Sequence, residues 1–329
     1  MPLSAASRRS SVVMLCAMLG ATALPAAAQP FPAKPVRIIV GFAAGGPTDV
    51  IARVMAQDMT ASLGQSVIVE NRTGANAIIA TDLVARAAPD GYTTLFSSLS
   101  LLVNAILSPD KIKYDPFKDF APVSNAAVLP QLIVTRPSTP VNSLRELVAL
   151  ARKHPGEVTY GSAGHGGSAH LSGALLETLA GVKMTHISYR GNAPALVDVM
   201  SGQLTFMFYP MIGIADHVAA GKLKVLAVGT ARRHPDYPQA PTVVEAGYPG
   251  LTDTAPWVGL IAPAATPAAI VDRLSEEMRK SLARPETQAR LKALGAITVG
   301  DTPAEFRDFL RKDHERWTRV IKAAGIKGE

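Results

Sequence analysis

Apolar positions along this chain follow two rhythms, short continuous runs and longer stretches of helical spacing. Residues 36–40, VRIIV, are almost wholly apolar, as in a parallel strand covered on both faces. A glycine-rich turn follows, then a helix predicted from Pro47 to about Leu63 and a strand at 67–71. A loop at 72–75 leads to a helix ending near Ala88, the turn Pro89-Asp90-Gly91, and a third strand at 92–97. This is a β-α-β-α-β unit with right-handed crossovers expected. The stretch 104–127 reads as turn-rich and ends in an apolar segment at 128–135.

There the pattern restarts. Ser143 and Glu146 form a capping box for a helix to about His154. Strands are predicted at 158–162, 184–188, 204–208 and 223–228, with helices from about Ser168 and from Pro194. Residues 235–250 are loop-like and 257–263 form another apolar strand. Two amphipathic helices close the chain, each with threonine as N-cap and proline first in the helix, at Thr266-Pro267 and Thr302-Pro303. Thr302 with Glu305 makes a second capping box. Ile270, Val271, Leu274, Met278 and Leu282 share one face of the first; Phe306, Phe309, Leu310, Val320 and Ile321 share one of the second. A repeated unit with a C-terminal return predicts an α/β fold of two lobes, each a sheet flanked by helices, joined by two crossing strands. Lobe 1 spans 30–127 plus 254–329 and lobe 2 spans 128–253, with a ligand between them at the carboxyl ends of the strands.

Composition supports a globular protein: 329 residues, 48% hydrophobic and 18% charged, with a formal charge of +7. Arg8 and Arg9 precede an apolar run at 12–24 and small residues at Ala26 and Ala28. That is the form of a secretory signal, residues 1–28, cut before Gln29. Without those two arginines 31 basic face 26 acidic groups, a balance of +5. These charges are dispersed, which argues against nucleic acid as a partner. The single cysteine, Cys16, lies inside the signal, so the mature chain is expected to use neither disulfides nor thiolate chemistry.

Four glycine- or serine-bearing loops precede predicted helix starts, at 41–49, 71–77, 161–170 and 189–195. A helix N-terminus offers free N–H groups and a partial positive charge, so it takes anions without a basic side chain. The turn GFAAGGPT from Gly41 departs from a phosphate loop at one residue, where Pro47 replaces lysine. Proline suits the first helical position and leaves a cradle suited to carboxylate. Asp49 favours the helix dipole and is placed to pair with Arg53.

Enzyme readings are thinner. Ser162 in YGSAG lacks the first glycine of a nucleophile elbow, although His165 or His170 stands close in sequence as a possible base. The two histidines are five apart with no acidic cluster, so no metal site is expected. His170 is read as a hydrogen-bonding or packing residue. Trp257 belongs to the core or to a wall of the cleft, and Arg190 either binds a second carboxylate or is solvated.

In order, 35-PVRIIVGFAAGGPTDVIAR-53, 70-ENRTGANA-77, 89-PDGYT-93, 160-YGSAGHGGSAH-170, 188-SYRGNAPALVDVMSGQ-203, 241-PTVVEAGYPG-250 and 257-WVGLIAPAATP-267 resemble the Bug family. These are periplasmic solute receptors of tripartite tricarboxylate transporters, and the resemblance runs from about Pro32 to the C-terminus. It implies a two-lobed periplasmic-binding-protein fold (type II) that closes around a small organic acid. The resemblance implies a carboxylate held by backbone amides and waters at Phe42, Ala43, Ala44, Gly45 and Gly46. On the second lobe it implies Ser162, Gly164, Gly166 and Ser168, with Asn76, Tyr189, Arg190 and Asn192 nearby. Ser98, in the glycine-poor stretch 97–102, marks another wall. Family members commonly carry a glycine near Ala75-Asn76, so Asn76 puts a side chain where others have none. The implied partner is a membrane permease of large and small subunits, or a sensor to which ligand is presented. No cofactor is implied, and the receptor is expected to act as a monomer.

Overall fold

The computed structural model describes residues 31–252 and 254–327. The expected signal at 1–28, its cleavage point and Cys16 lie outside them. From Lys34 onward the chain forms one unit. Its elements run β1 (Val36–Val40), α1 (Pro47–Leu63), β2 (Val67–Asn71), α2 (Ile78–Ala85), β3 (Thr93–Ser98), α3 (Ser100–Leu107) and β4 (Phe120–Val128). Next come β5 (Gln131–Thr135), α4 (Leu144–Lys153), β6 (Thr159–Ser162), α5 (Ser168–Ala180), β7 (Thr185–Ser188) and α6 (Asn192–Ser201). The remainder is β8 (Phe206–Pro210), α7 (Ala215–Ala219), β9 (Lys224–Val228), β10 (Trp257–Pro263), α8 (Ala268–Ala283), α9 (Pro285–Ala293), β11 (Ile297–Thr298) and α10 (Pro303–Ala323).

Two sheets result, ordered β11-β4-β10-β3-β1-β2 and β7-β6-β8-β5-β9. Each carries three parallel strands, β2-β1-β3 in one and β7-β6-β8 in the other. Each then receives an antiparallel strand from across the molecule, β10 beside β3 and β5 beside β8. The loop after β6 therefore holds the same topological place as the loop after β1. The chain passes between sheets twice, through residues 129–130 and 229–256, and Leu129 N–H donates to the Pro256 carbonyl at 2.8 Å where the passages meet.

Several sequence expectations need correction. The stretch 104–127 was expected to be turn-rich, yet it holds the end of α3 and all but the last residue of β4, an interior strand. Its polar residues hid it. Ser124 Oγ donates to the Asp301 carbonyl at 2.8 Å, and Asn125 N–H donates to the Asp301 carboxylate at 2.7 Å. α3 was missed because it is short and its polar residues, Ser100 and Asn104, are buried with the apolar ones, so they mark no solvent face. Three helices, not two, close the chain, because Pro285 starts a new one. Thr266 is not an N-cap: α8 begins at Ala268 after Pro267, and the Thr266 hydroxyl is buried without a partner. The second predicted box is complete at Thr302–Glu305. The first is partial, since Glu146 accepts from Asn142 N–H, one residue before the cap.

Trp257 lies in the core. It is 1% exposed, meets Phe306 edge-on at 5.4 Å, and donates from Nε1 to Asp313 at 2.9 Å. The second sheet has its own core around Tyr160, Phe206 and Phe208.

Candidate functional site

The turn after β1 is built around a buried carboxylate. Asp49, 2% exposed, accepts from Gly45 N–H and Arg53 Nε, both at 2.9 Å, and from Asn71 Nδ2 at 2.8 Å. Asn71 Nδ2 also reaches the Phe42 carbonyl at 2.9 Å. Burial pushes the Asp49 carboxyl up, but the bonds from Arg53, Gly45 and Asn71 outweigh it and hold the group below the ordinary carboxylate range. Asp49 thus clamps the turn from behind, and the Gly45 amide is already engaged. Gly45 has φ +77, and a Cβ there would meet nothing within 4 Å. Its glycine serves the left-handed turn, not close approach of a ligand. Gly46 caps α1, Pro47 opens it, and the first-turn amides of Thr48 and Asp49 have no intrahelical acceptor.

The loop after β6 is tied by histidines. Ser162 is fully buried; its Oγ lies 2.6 Å from His186 Nε2, 2.8 Å from the Gly164 carbonyl and 3.1 Å from Gly164 N. His170 Nδ1 accepts from Gly166 N–H at 3.0 Å, and its ring packs 4.4 Å from His165 and 4.2 Å from His186. Burial, with neighbouring imidazoles, pushes His170 down to about 3 and His186 to about 4. Both are neutral near pH 7. The bases foreseen for Ser162 were His165 and His170, but the residue beside it is His186, contributed by β7. The buried hydroxyl braces the loop. Among the described residues no group of three metal-binding side chains has the geometry to hold an ion.

The two loops face each other across a narrow pocket. Phe42, Gly46, Thr48, Asn76, Ser98 and Ser100 line it from the first sheet's side. Ala163, Gly167, Ser168 and Asn192 line it from the second, and Leu129, Pro210, Pro256 and Val258 lie where the chain crosses. No lining side chain is charged. The pocket leaves about 30 Å³ for the centres of water molecules, against roughly 10–15 Å³ for one water. Beside it opens a wider mouth of about 970 Å³, where Gly164, His165, Tyr189, Arg190 and Lys111 stand. The halves meet closely here: Ala43 N–H donates to the Arg190 carbonyl at 3.1 Å.

Of the residues singled out from sequence, Phe42, Gly46, Asn76, Ser98, Ser168 and Asn192 are brought together in the inner pocket. Gly164, Tyr189 and Arg190 lie at the mouth, Arg190 exposed. Ala43 sits on the seam, while Ala44 and Gly45 are exposed. Asp49, Ser162, Gly166 and His170 support the loops and line neither space, and Trp257 is in the core. Sequence reasoning missed Ser100 because α3 was missed. It missed Leu129 and Pro256 because only the third dimension places them beneath the pocket.

A family model described as the tripartite tricarboxylate transporter family receptor matches residues 51–326. The chain belongs to this receptor family. It is similar to a UPF0065 protein encoded in the tcbD-tcbE intergenic region of a Pseudomonas species, 38% identical over 292 residues, covering 88% of this chain and 86% of the relative. BugT of Bordetella pertussis is 35% identical over 323 residues, with 98% of each chain covered. The solved periplasmic binding protein BugD superposes with a TM-score of 0.86 at 34% identity, covering 91% of this chain and all of BugD. A Rhodopseudomonas palustris protein solved with adipate gives 0.87 at 34% identity, covering 91% of this chain and 100% of its own. MatC of the same species, with bound malate, gives 0.84 at 33% identity, covering 88% and 100%. The Bug resemblance read from the motifs therefore holds. The fold is that of the periplasmic binding proteins, two sheets flanked by helices.

Proposed function

We propose that this receptor binds a small organic carboxylate in the inner pocket and hands it to the permease of a tripartite tricarboxylate transporter. One observation carries the reading: α1, α3, α5 and α6 all start at this pocket, through Thr48, Ser100, Ser168 and Asn192, and no charged side chain lines it. Four helix starts supply N–H donors and positive dipole ends to an anion. Charge-assisted hydrogen bonds contribute roughly 1.5–3 kcal/mol each. Four to six, less the ordering costs, reach the ~8 kcal/mol of micromolar binding. Adipate and malate in two structural neighbours support the ligand class.

The pocket is too tight to load as it stands, so the halves part to admit ligand. In this reading residues 30–127 plus 254–329 move as one lobe and 128–253 as the other, about the two crossings. The protein works as a periplasmic monomer after cleavage before Gln29.

The test is a thermal-shift screen of protein starting at Gln29, unfolded and refolded to strip carried ligand, against small carboxylates and their amides. At one hundred times Kd, stabilisation of about 2.7 kcal/mol raises Tm by roughly 4–5 °C for a chain of this length. A shift with an acid and none with its amide is expected. Equal shifts with both would overturn the anion reading.

A further inference from the structure

Asn76 occupies the middle of an unusual turn. Ala75, Asn76 and Ala77 have φ of 46°, 49° and 70°, three successive non-glycine residues in the left-handed region. Asparagine tolerates that region better than alanine, and the turn is held by a partner from α3. Asn76 Nδ2 donates to Asn104 Oδ1 at 2.9 Å, and Asn104 Nδ2 donates to the Asn76 carbonyl at 2.9 Å. Both asparagines are buried, at 7% and 4% exposure.

This exchange fixes which way the Asn76 carboxamide points. Turning it over would set its oxygen against Asn104 Oδ1, and turning Asn104 as well would set that oxygen against the Asn76 carbonyl. The amide nitrogen therefore faces Asn104 and the Gly166 side. The oxygen faces Gly167, where a Cβ would stand 3.5 Å from it. Gly167 and Asn76 both line the inner pocket. Asn76 Oδ1 is buried there without a hydrogen-bond partner. On the opposite half Asn192, also lining the pocket, has a buried Oδ1 without a partner.

A carboxylate brings only lone pairs. It satisfies the helix-start amides and does nothing for a carboxamide oxygen, and a buried acceptor left unmade is unfavourable. We infer that the ligand carries a donor beside its carboxylate, a hydroxyl or a protonated amine, that bonds to Asn76 Oδ1. The substrate class is then hydroxy- or amino-carboxylates in preference to the unsubstituted acids. This rests on the carboxylate reading proposed above. Malate and adipate, seen in two neighbours, fall on opposite sides of the division, so the choice depends on this chain's own residues.

The test is calorimetric titration of refolded protein with matched sets: succinate, malate and aspartate; glutarate, 2-hydroxyglutarate and glutamate; propionate, lactate and alanine. In at least one set a substituted acid binds ten times more tightly than its parent, or better. Asn76→Gly, which suits the left-handed backbone, reduces that preference to within threefold. Parents that bind as well as their substituted partners overturn the inference and leave the carboxylate reading standing. So does an Asn76→Gly protein that keeps the full preference. Should that variant fail to fold, the wild-type comparison decides alone. Binding of none of these acids, nor of any other carboxylate, overturns the carboxylate reading and this inference with it.

Discussion

Replacing Gly191 by alanine should weaken ligand binding through a residue that lines neither the pocket nor its mouth. Gly191 precedes α6 with φ 160°, extended backbone that any residue adopts. The position is therefore not glycine for conformational reasons. A Cβ built there would lie 2.9 Å from both Ala43 Cβ and Ala43 N, on the other side of the cleft. That is at least roughly 0.6 Å inside the carbon–carbon optimum of about 3.5 Å, and the neighbour is backbone as well as side chain. The added methyl opposes the Ala43–Arg190 backbone bond at 3.1 Å. In the open form proposed above it faces solvent and does not clash. Overpacking of this kind costs about 1–3 kcal/mol, charged here to the closed form alone. Since about 1.4 kcal/mol is tenfold, affinity should fall roughly 5- to 150-fold, while the ligand-free melting temperature stays the same or rises. Calorimetric titration with the tightest-binding acid of the matched sets, beside a ligand-free melt, gives both readings. Unchanged affinity in a folded variant would refute the claim that ligand is held with Gly191 against Ala43.

Two further outcomes follow from buried titratable groups. Asp49→Asn removes the charge that clamps the first turn and should destabilise by roughly 1–2 kcal/mol at pH 7, the half-exposed Arg53 being partly screened. Asp49 titrates below its unfolded value near 3.9, so its contribution is complete above that pH and is lost as pH falls through the lower folded value. Denaturant melts should show the gap to wild type constant from pH 5 to 8 and closing below about pH 4; a gap that widens on acidification contradicts the clamp. His170 and His186 titrate near 3 and 4 when folded and near 6.5 when unfolded. The unfolded chain then binds more protons between those values, so stability is full above about pH 6.5 and falls below it. The loss is at most about 1.4 kcal/mol per pH unit for each histidine. Tm should drop between pH 7 and 5, less so in His170→Gln, and a flat wild-type profile over that range would count against neutral, buried imidazoles.

The architecture was legible because its signals are local. β1, α1, β2, β5, β10 and α10 announce themselves by apolar runs, Pro47, Pro303 and the Thr302–Glu305 box, and each lies close to where those signals put it. β4 failed because Pro122, Ser124 and Asn125 are loop-like in composition. Only the distant Asp301, 177 residues from Ser124, makes them fit an interior strand. α3 failed for a different reason, since its polar Ser100 and Asn104 are buried with its apolar residues and mark no solvent face.

The site divides along the same line. That glycine-rich turns precede helices could be read from spacing, and the structure brings three such helix starts, those of α1, α5 and α6, to one pocket. What each residue does there could not be read. Glycine means a left-handed turn at Gly45, a close seam at Gly191 and contact with Asn76 at Gly164, and one letter serves all three. Asp49 was read as a helix-dipole charge with a partner at Arg53, but its larger task is to engage Gly45 and Asn71. The same holds for Asn76. A single asparagine does not say which end of its amide is committed; Asn104, 28 residues on, decides that and leaves the oxygen buried without a partner. In the proposed reading, selectivity in this pocket is set by polar atoms that the fold itself leaves unpaired. Those atoms appear only once every neighbour's hydrogen bonds are counted, so the ligand class is a property of the network and not of the motif.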